Sequence, residues 1–269
     1  MGTTCVFEMM GMKKISLFLL LFCFSNSVLP QAKILVKGEE LKYIVYYGFI
    51  KLGEVNMKVT GAKTEGSNVI YTAWSEMKSY QGIPFVTLNS IFETEIVFDG
   101  KDLYSRNFKA TDYKDDGLIN TEYKFNYDSS YVHVIKINNG KIEKNEKINF
   151  NHNIKFQDGL SLFYRARINS FSTDDFLIPV FMNESETSVN YYFSSLREEI
   201  SIPMKDDIKS IRCNGVANFE GVFGLSGEFG GWFSDDEARM PLKALVNVML
   251  GNVTLELDSY TRPGWKPGK

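Results

Sequence analysis

The chain has 269 residues, of which 44% are hydrophobic and 23% charged, with a formal net charge of −3. That balance belongs to a globular protein able to bury a sizeable core. It excludes nucleic acid as a partner, because no basic stripe is present to neutralise a row of phosphates. The 21 Phe and 14 Tyr favour β structure.

The first element is an address. Lys13-Lys14 precede the apolar run Ile15 to Phe24, polar Ser25-Asn26-Ser27 follow, and Ser27 and Ala32 offer small residues for cleavage. A basic start, about ten apolar residues and a small-residue exit describe a secretory signal. The run is too short to span a bilayer comfortably, which disfavours an uncleaved anchor. Met12 suits a natural start, so residues 1–32 read as an N-terminal extension plus signal and 33–269 as a single domain. The expected location is the periplasm or the periplasmic face of the outer membrane. Cys23 as a lipid attachment point is disfavoured by bulky Phe22 before it. With Cys5 and Cys23 removed, Cys213 has no disulfide partner and reads as a small apolar strand residue.

Strands then follow at short spacing. Gly38 to Thr60 alternates apolar and polar residues on both sides of a break at Gly48 and Gly53, which predicts strand, glycine break, strand. Val69 to Met77 and Phe85 to Phe98 continue the pattern, and Asp99-Gly100 closes the second. Leu103 to Thr111 and Thr121 to Tyr127 flank a polar loop at Asp112 to Gly117, and Tyr131 to Ile137 ends at Asn138-Asn139-Gly140. Lys141 to Phe150 is rich in Lys, Glu and Asn, as suits an exposed edge strand or loop whose charges discourage further pairing.

The period changes once. Within Phe156 to Phe171, Leu160, Phe163, Tyr164, Ile168 and Phe171 recur at three and four, the spacing of an amphipathic helix. Asp158 or Ser161 can cap its start. Strands return at Asp175 to Phe181, Ser188 to Phe193, Glu198 to Pro203 and Ile208 to Phe219. The glycine-rich Val222 to Phe233 predicts bulges or close backbone approach. The final stretch, Gly231 to Tyr260, reads as a hairpin. A turn at Ser234 to Glu237 precedes a strand opened by Pro241, and Gly251-Asn252 turns the chain into the last strand. The fold class is mainly β: a curved antiparallel sheet or incomplete β-barrel wrapped around one principal helix.

Catalytic constellations are weak. His133 lies in an alternating strand and His152 in a polar loop, so no base with an orienting partner is evident. Gly224 to Glu228 has the wrong spacing for a nucleophile elbow. Neither HExxH, CxxC nor an acidic calcium loop occurs, and no metal or cofactor is expected. The pairs Asp115-Asp116, Asp174-Asp175, Asp206-Asp207 and Asp235-Asp236 suit turns better than acid/base work, which needs carboxyls facing across a substrate. An ion pair from Asp235 or Asp236 to Arg239 is expected to fix the turn before the last hairpin. The aromatic excess has two readings: a filled core, or an apolar cavity between sheet and helix lined by Tyr47, Phe163, Tyr164, Phe229 and Trp232.

Three segments carry a family resemblance: Gly38 to Val55, Gln157 to Arg167 and Trp232 to Leu257. Together they resemble exported bacterial proteins of Domain of Unknown Function 3108. Asp158, Tyr164 and Arg167 lie in the second block. Asp235, Asp236, Arg239 and Pro241 match the family's Asp-Asp-x-x-Arg-x-Pro pattern, with Met240 between Arg and Pro. The resemblance implies a Gram-negative envelope protein and, more loosely, a fold similar to the lipoprotein-carrier group. It supplies no catalytic residue. The expected function is a non-enzymatic envelope protein binding an apolar molecule, a lipid or a lipid-bearing envelope partner. The alternatives are an assembly protein acting through its surface and, third, a glycan-acting enzyme.

Overall fold

A computed structural model describes residues 34–83, 87–221, 226–248 and 251–268. The extension, the signal and Phe85 lie outside the described residues. Among the described residues, fourteen strands and one helix run in chain order: β1 (Glu40–Tyr47), β2 (Ile50–Glu65), β3 (Asn68–Ser79), β4 (Asn89–Phe98), β5 (Leu103–Lys114), β6 (Gly117–Asn126), β7 (Tyr131–Asn138), β8 (Lys141–Asn149), α1 (Ser161–Asn169), β9 (Asp175–Met182), β10 (Ser185–Ile202), β11 (Lys205–Ala217), β12 (Gly227–Ser234), β13 (Pro241–Val248) and β14 (Gly251–Thr261). All pair antiparallel in one sheet of order β8-β7-β6-β5-β4-β3-β2-β1-β14-β13-β12-β11-β10-β9. The mainly β expectation holds, and β8 is indeed an edge.

Strand parity shows why these residues form this sheet. In β1, Leu41, Tyr43 and Val45 are buried, and in β2 Val55, Met57 and Val59 answer them, the period-two signature of a sheet with one face on a core.

The sheet curls until β9, at one edge, meets the interior strand β5 through a short bridge. β5 pairs with β6 only from Asn107 onward. In the gap left beside Leu103 to Arg106, Phe156 C=O accepts from Ser105 N–H at 2.8 Å and Gln157 Nε2 donates to Leu103 C=O at 2.5 Å. On its other side, Gln157 N–H donates to Pro179 C=O and Phe181 N–H to Gln157 C=O, both at 2.9 Å. Hydrogen bonding therefore runs from β5 through Phe156 and Gln157 to Pro179 and Phe181 of β9. The remaining strands β6 to β8 form a flap whose aromatic face, with Tyr123 and Phe125, packs edge-on against Phe181 of β9.

Several local expectations are corrected. The helix is nine residues, Ser161–Asn169, shorter than Phe156 to Phe171, because residues 156–158 are held as the bridge. Phe171 lies beyond it and is 45% exposed. The predicted strands at Ser188 to Phe193 and Glu198 to Pro203 are one strand, β10, with a register shift between Phe193 and Arg197. Gly53 does not end the strand; it lies within β2, where the pairing with β1 shifts register and a Cβ would stand 2.3 Å from Lys78 O. Most of Asp112 to Gly117 is paired strand. Gly251 and Asn252 already pair with Val248 and Asn247, so they open β14 and do not form the turn. In the glycine-rich stretch the bulge alternative holds, with a register shift between Trp232 and Phe233 of β12; a Cβ at Gly230 or Gly231 would meet only ordinary contacts at 3.8 and 3.5 Å, and the close approach lies in β11, where a Cβ at Gly215 would meet the Phe229 ring at 2.4 Å.

Candidate functional site

Two built features lie inside the curl: a buried polar frame around α1 and an apolar cavity beside it. The frame begins at Asp158, whose side chain is sealed from solvent. Its Oδ1 accepts from Leu160 and Ser161 N–H, both at 2.8 Å, and its Oδ2 from the Thr94 and Ser105 hydroxyls, both at 2.6 Å. One carboxylate thus supplies the acceptors that the helix start lacks and ties it to β4 and β5. Ser161 Oγ in turn accepts from Asp158 N–H at 2.8 Å, so both anticipated capping residues act together. Burial raises the Asp158 carboxyl above its ordinary pKa against the opposing pull of these four donors.

Arg167, in the last turn of the helix, forms the second tie. Its guanidinium donates to Glu39 at 2.6 and 3.0 Å, to Ile34 C=O at 3.0 Å and to Ala238 C=O at 3.1 Å. Arg262 closes on the other side of Glu39. Burial alone would raise the Glu39 carboxyl, but the two guanidiniums hold it below its ordinary value. Tyr164, packed edge-on to Phe163, is buried close to this cluster.

The Asp235 to Pro241 loop is a third tie, differently wired from the expectation. Arg239 pairs its side chain with neither aspartate. Its guanidinium donates to the helix-end carbonyls Ile168 C=O at 2.5 Å and Arg167 C=O at 3.3 Å, and lies 4.2 Å over the Phe171 ring. A cation there meets the negative end of the helix dipole. Asp236 Oδ1 accepts from Ala238 N–H, Arg239 N–H and Ser234 Oγ, while Oδ2 accepts from Trp265 Nε1 at 2.8 Å. These bonds hold Arg239 at φ 49°, a conformation that costs energy for a non-glycine residue. Asp235 instead pairs outward with Arg197 at 2.9 Å. Pro241 opens β13, and its C=O accepts from the Tyr43 hydroxyl at 2.8 Å.

Between this frame and the sheet lies a cavity of about 350 Å³, within the roughly 300–1,000 Å³ of small-molecule sites. Leu160, just before α1, and Leu162, Phe163 and Ala166 of the helix face it, and Val45, Val55, Met77, Val189, Phe229 and Val246 are among the strand residues around it. Its polar atoms are engaged elsewhere: Tyr43 OH bonds Pro241, Tyr191 OH accepts from Asn169 at 2.9 Å, and Lys243 directs its ammonium to Glu256 at 2.6 Å. Burial pushes the Cys213 thiol up to about 12, so it behaves as an apolar wall.

Of the five residues expected to line a cavity, Phe163 and Phe229 do. Trp232 lies three positions from Phe229 in one strand, so it points to the opposite face; its Nε1 donates to Glu198 and Arg212 covers its ring. Tyr164 turns toward Arg167 and away from the void. Tyr47 stands at the end of β1, 44% exposed and against Gly251. Sequence reasoning missed Val45, Ala166 and Val246 as lining; strand parity marked two of them as inward, but nothing local separates a void from packed core.

His133 and His152 lie apart, on Asn145 and Ser130 respectively. Among the described residues, no three His, Cys, Asp or Glu side chains gather as a metal site.

Residues 42–258 match the family described as Protein of unknown function, DUF3108. The chain belongs to that family. The signature blocks of this DUF3108 protein thus coincide with the frame around α1. No curated protein matches it. Among solved structures, it is similar to a β-barrel-like protein of Domain of Unknown Function DUF1849 from Brucella abortus, with TM-score 0.51 and 6% identity over 84% of this chain and 98% of that one. That likeness concerns the fold alone. Two further structures align less well. One is a protein inferred to be exported, with a YmcC-like fold, from Bacteroides fragilis (TM-score 0.35, 7% identity, 84% of this chain and 97% of that). The other is an inferred lipoprotein from Parabacteroides distasonis (TM-score 0.33, 9% identity, 84% and 96%).

Proposed function

We propose that this DUF3108 protein is a non-enzymatic, exported envelope protein that holds an apolar molecule, or the acyl chain of a lipid-bearing partner, in the cavity between α1 and the curled sheet. The observation that carries this reading is an apolar void bordered by a rigidly tied helix. A filled core would place side chains there at crystal-like density, and a void of this size costs stability unless something occupies it. The chemistry of the wall favours hydrocarbon: burying an alkyl chain there is favourable by roughly 0.8 kcal/mol per CH₂, and among the described lining residues the charged side chain, Lys243, is already paired with Glu256. Export rests on the signal read at residues 13–32. Native mass spectrometry after gentle purification tests the reading. Adducts of lipid mass that disappear on delipidation support it; a bare protein that also fails to take up a hydrophobic dye after delipidation removes it.

A further inference from the structure

We propose that the outer face of β3, β4 and β5 binds a neutral saccharide, at a site separate from the apolar cavity. A cleft of about 380 Å³ lies there among Thr72, Trp74, Glu93, Glu95, Asn107 and Lys109. Strand register sets the six in two rows across three strands. Trp74 stands opposite Glu93 and Glu93 opposite Lys109; Thr72 stands opposite Glu95 and Glu95 opposite Asn107. Their chain neighbours Ala73, Thr94 and Phe108 are buried, with Thr94 bonded to Asp158, so both rows lie on the side of the sheet away from α1. With strands about 4.8 Å apart and alternate residues about 6.6 Å apart, the platform measures about 10 by 7 Å, which suits one or two sugar rings.

Two bulges shape this platform. Thr60 is the extra residue where β2 shifts against β3, and Arg106 the extra residue where β5 shifts against β4; such irregularities re-aim side chains and recur beside functional sites. The Thr60 hydroxyl donates to Thr72 Oγ1 at 2.9 Å and Arg106 Nε to Glu95 at 3.2 Å, so both bulged side chains turn onto the platform. The groups left over select the ligand. Among the described residues, the Trp74 indole N–H, the Glu93 carboxylate and the Asn107 amide have no hydrogen-bond or ion-pair partner. A pyranose offers vicinal hydroxyls to a carboxylate and an amide, and its C–H face to the negative face of an aromatic ring. Arg106 and Lys109 on the same face repel an ammonium, while Glu93 and Glu95 repel an anion. A neutral, hydroxyl-rich ring meets neither penalty.

Titration by saturation-transfer NMR tests it, with chitotetraose, cellotetraose and maltotetraose as neutral probes and with spermine and tetragalacturonate as charged ones. The expected result is binding of at least one neutral tetrasaccharide and of neither ion. Trp74→Ala should weaken that binding at least about tenfold, as loss of an aromatic anchor. Glu93→Gln should weaken it about fivefold, since an amide oxygen accepts less strongly than a carboxylate. Glu93 is exposed and unpaired, so its replacement keeps the fold and reads the site even where Trp74→Ala unfolds the protein. Ala166→Phe, inside the cavity, should leave saccharide binding unchanged. Absence of binding by every neutral tetrasaccharide, preference for spermine or tetragalacturonate, binding unaltered by Glu93→Gln, or loss in Ala166→Phe overturns the proposal. Lipid adducts are read by mass spectrometry on the same protein, so the cavity reading stands or falls separately.

Discussion

Arg167 and Glu39 stand 128 positions apart in the chain and meet as a two-bond ion pair at 2.6 and 3.0 Å, with side chains 0% and 1% exposed. The pair ties α1 to the segment leading into β1. Glu39→Ala strands two buried guanidiniums, Arg167 and Arg262, and should destabilise by about 3–5 kcal/mol, whereas Arg167→Met leaves Glu39 paired with Arg262 and should cost less. Thermal unfolding checks this. The double replacement should cost less than the sum of the two, since the partners are coupled.

The same cluster sets an acid limit. The folded Glu39 carboxyl lies below its ordinary value of 4.5, so its contribution is complete above that pH and is lost as pH falls through the folded value. The melting temperature of the parent should drop between about pH 5 and pH 3 more steeply than that of Glu39→Gln, which has no such carboxylate to protonate. Equal slopes would remove Glu39 as the cause.

Asp158 separates geometry from charge. Asp158→Asn keeps an oxygen for Leu160 and Ser161 N–H and presents its amide to the Thr94 and Ser105 hydroxyls, which can accept. Asp158→Ala leaves four buried donors unmatched, at roughly 1–3 kcal/mol each before relaxation. The Asn variant should therefore fold with a modest loss, and the Ala variant should lose several times more in denaturant titrations.

The adjacent aspartates should behave differently. Asp235 makes an outward ion pair with a side chain 43% exposed, worth about 0–1 kcal/mol. Asp236 holds two loop N–H groups, a hydroxyl and the Trp265 indole. Asp236→Ala is expected to cost about 2 kcal/mol or more through those unmatched donors, and Asp235→Ala little. Comparable melting shifts in the two variants would contradict this wiring.

A cavity can be filled from α1. Ala166 faces the void, so Ala166→Phe should leave stability within about 1 kcal/mol, whereas the same change in a packed core costs about 1–3 kcal/mol. It should also displace lipid adducts and dye. A stable variant that still takes up dye would show that the probe binds elsewhere.

Local pattern was enough to place most strands, the helix and the edge character of β8, because period two and period three-to-four are written in each short stretch. It also marked Asp158, Arg167, Asp236 and Arg239 through the family blocks, without showing what they touch. Lining residues were half legible: Phe229 followed from its aromatic character, while Trp232 failed on parity alone.

What the amino-acid order settled by itself was the alternation that makes one face of each strand apolar. Only tertiary structure decided that Gln157 would bridge β5 to β9, that Arg239 would reach the helix carbonyls in preference to its neighbouring aspartates, and that a void would remain beside α1. Those outcomes depend on which distant surfaces meet when the sheet curls and on how completely their side-chain volumes fill the space between. Neither quantity is carried by residues close together in the chain.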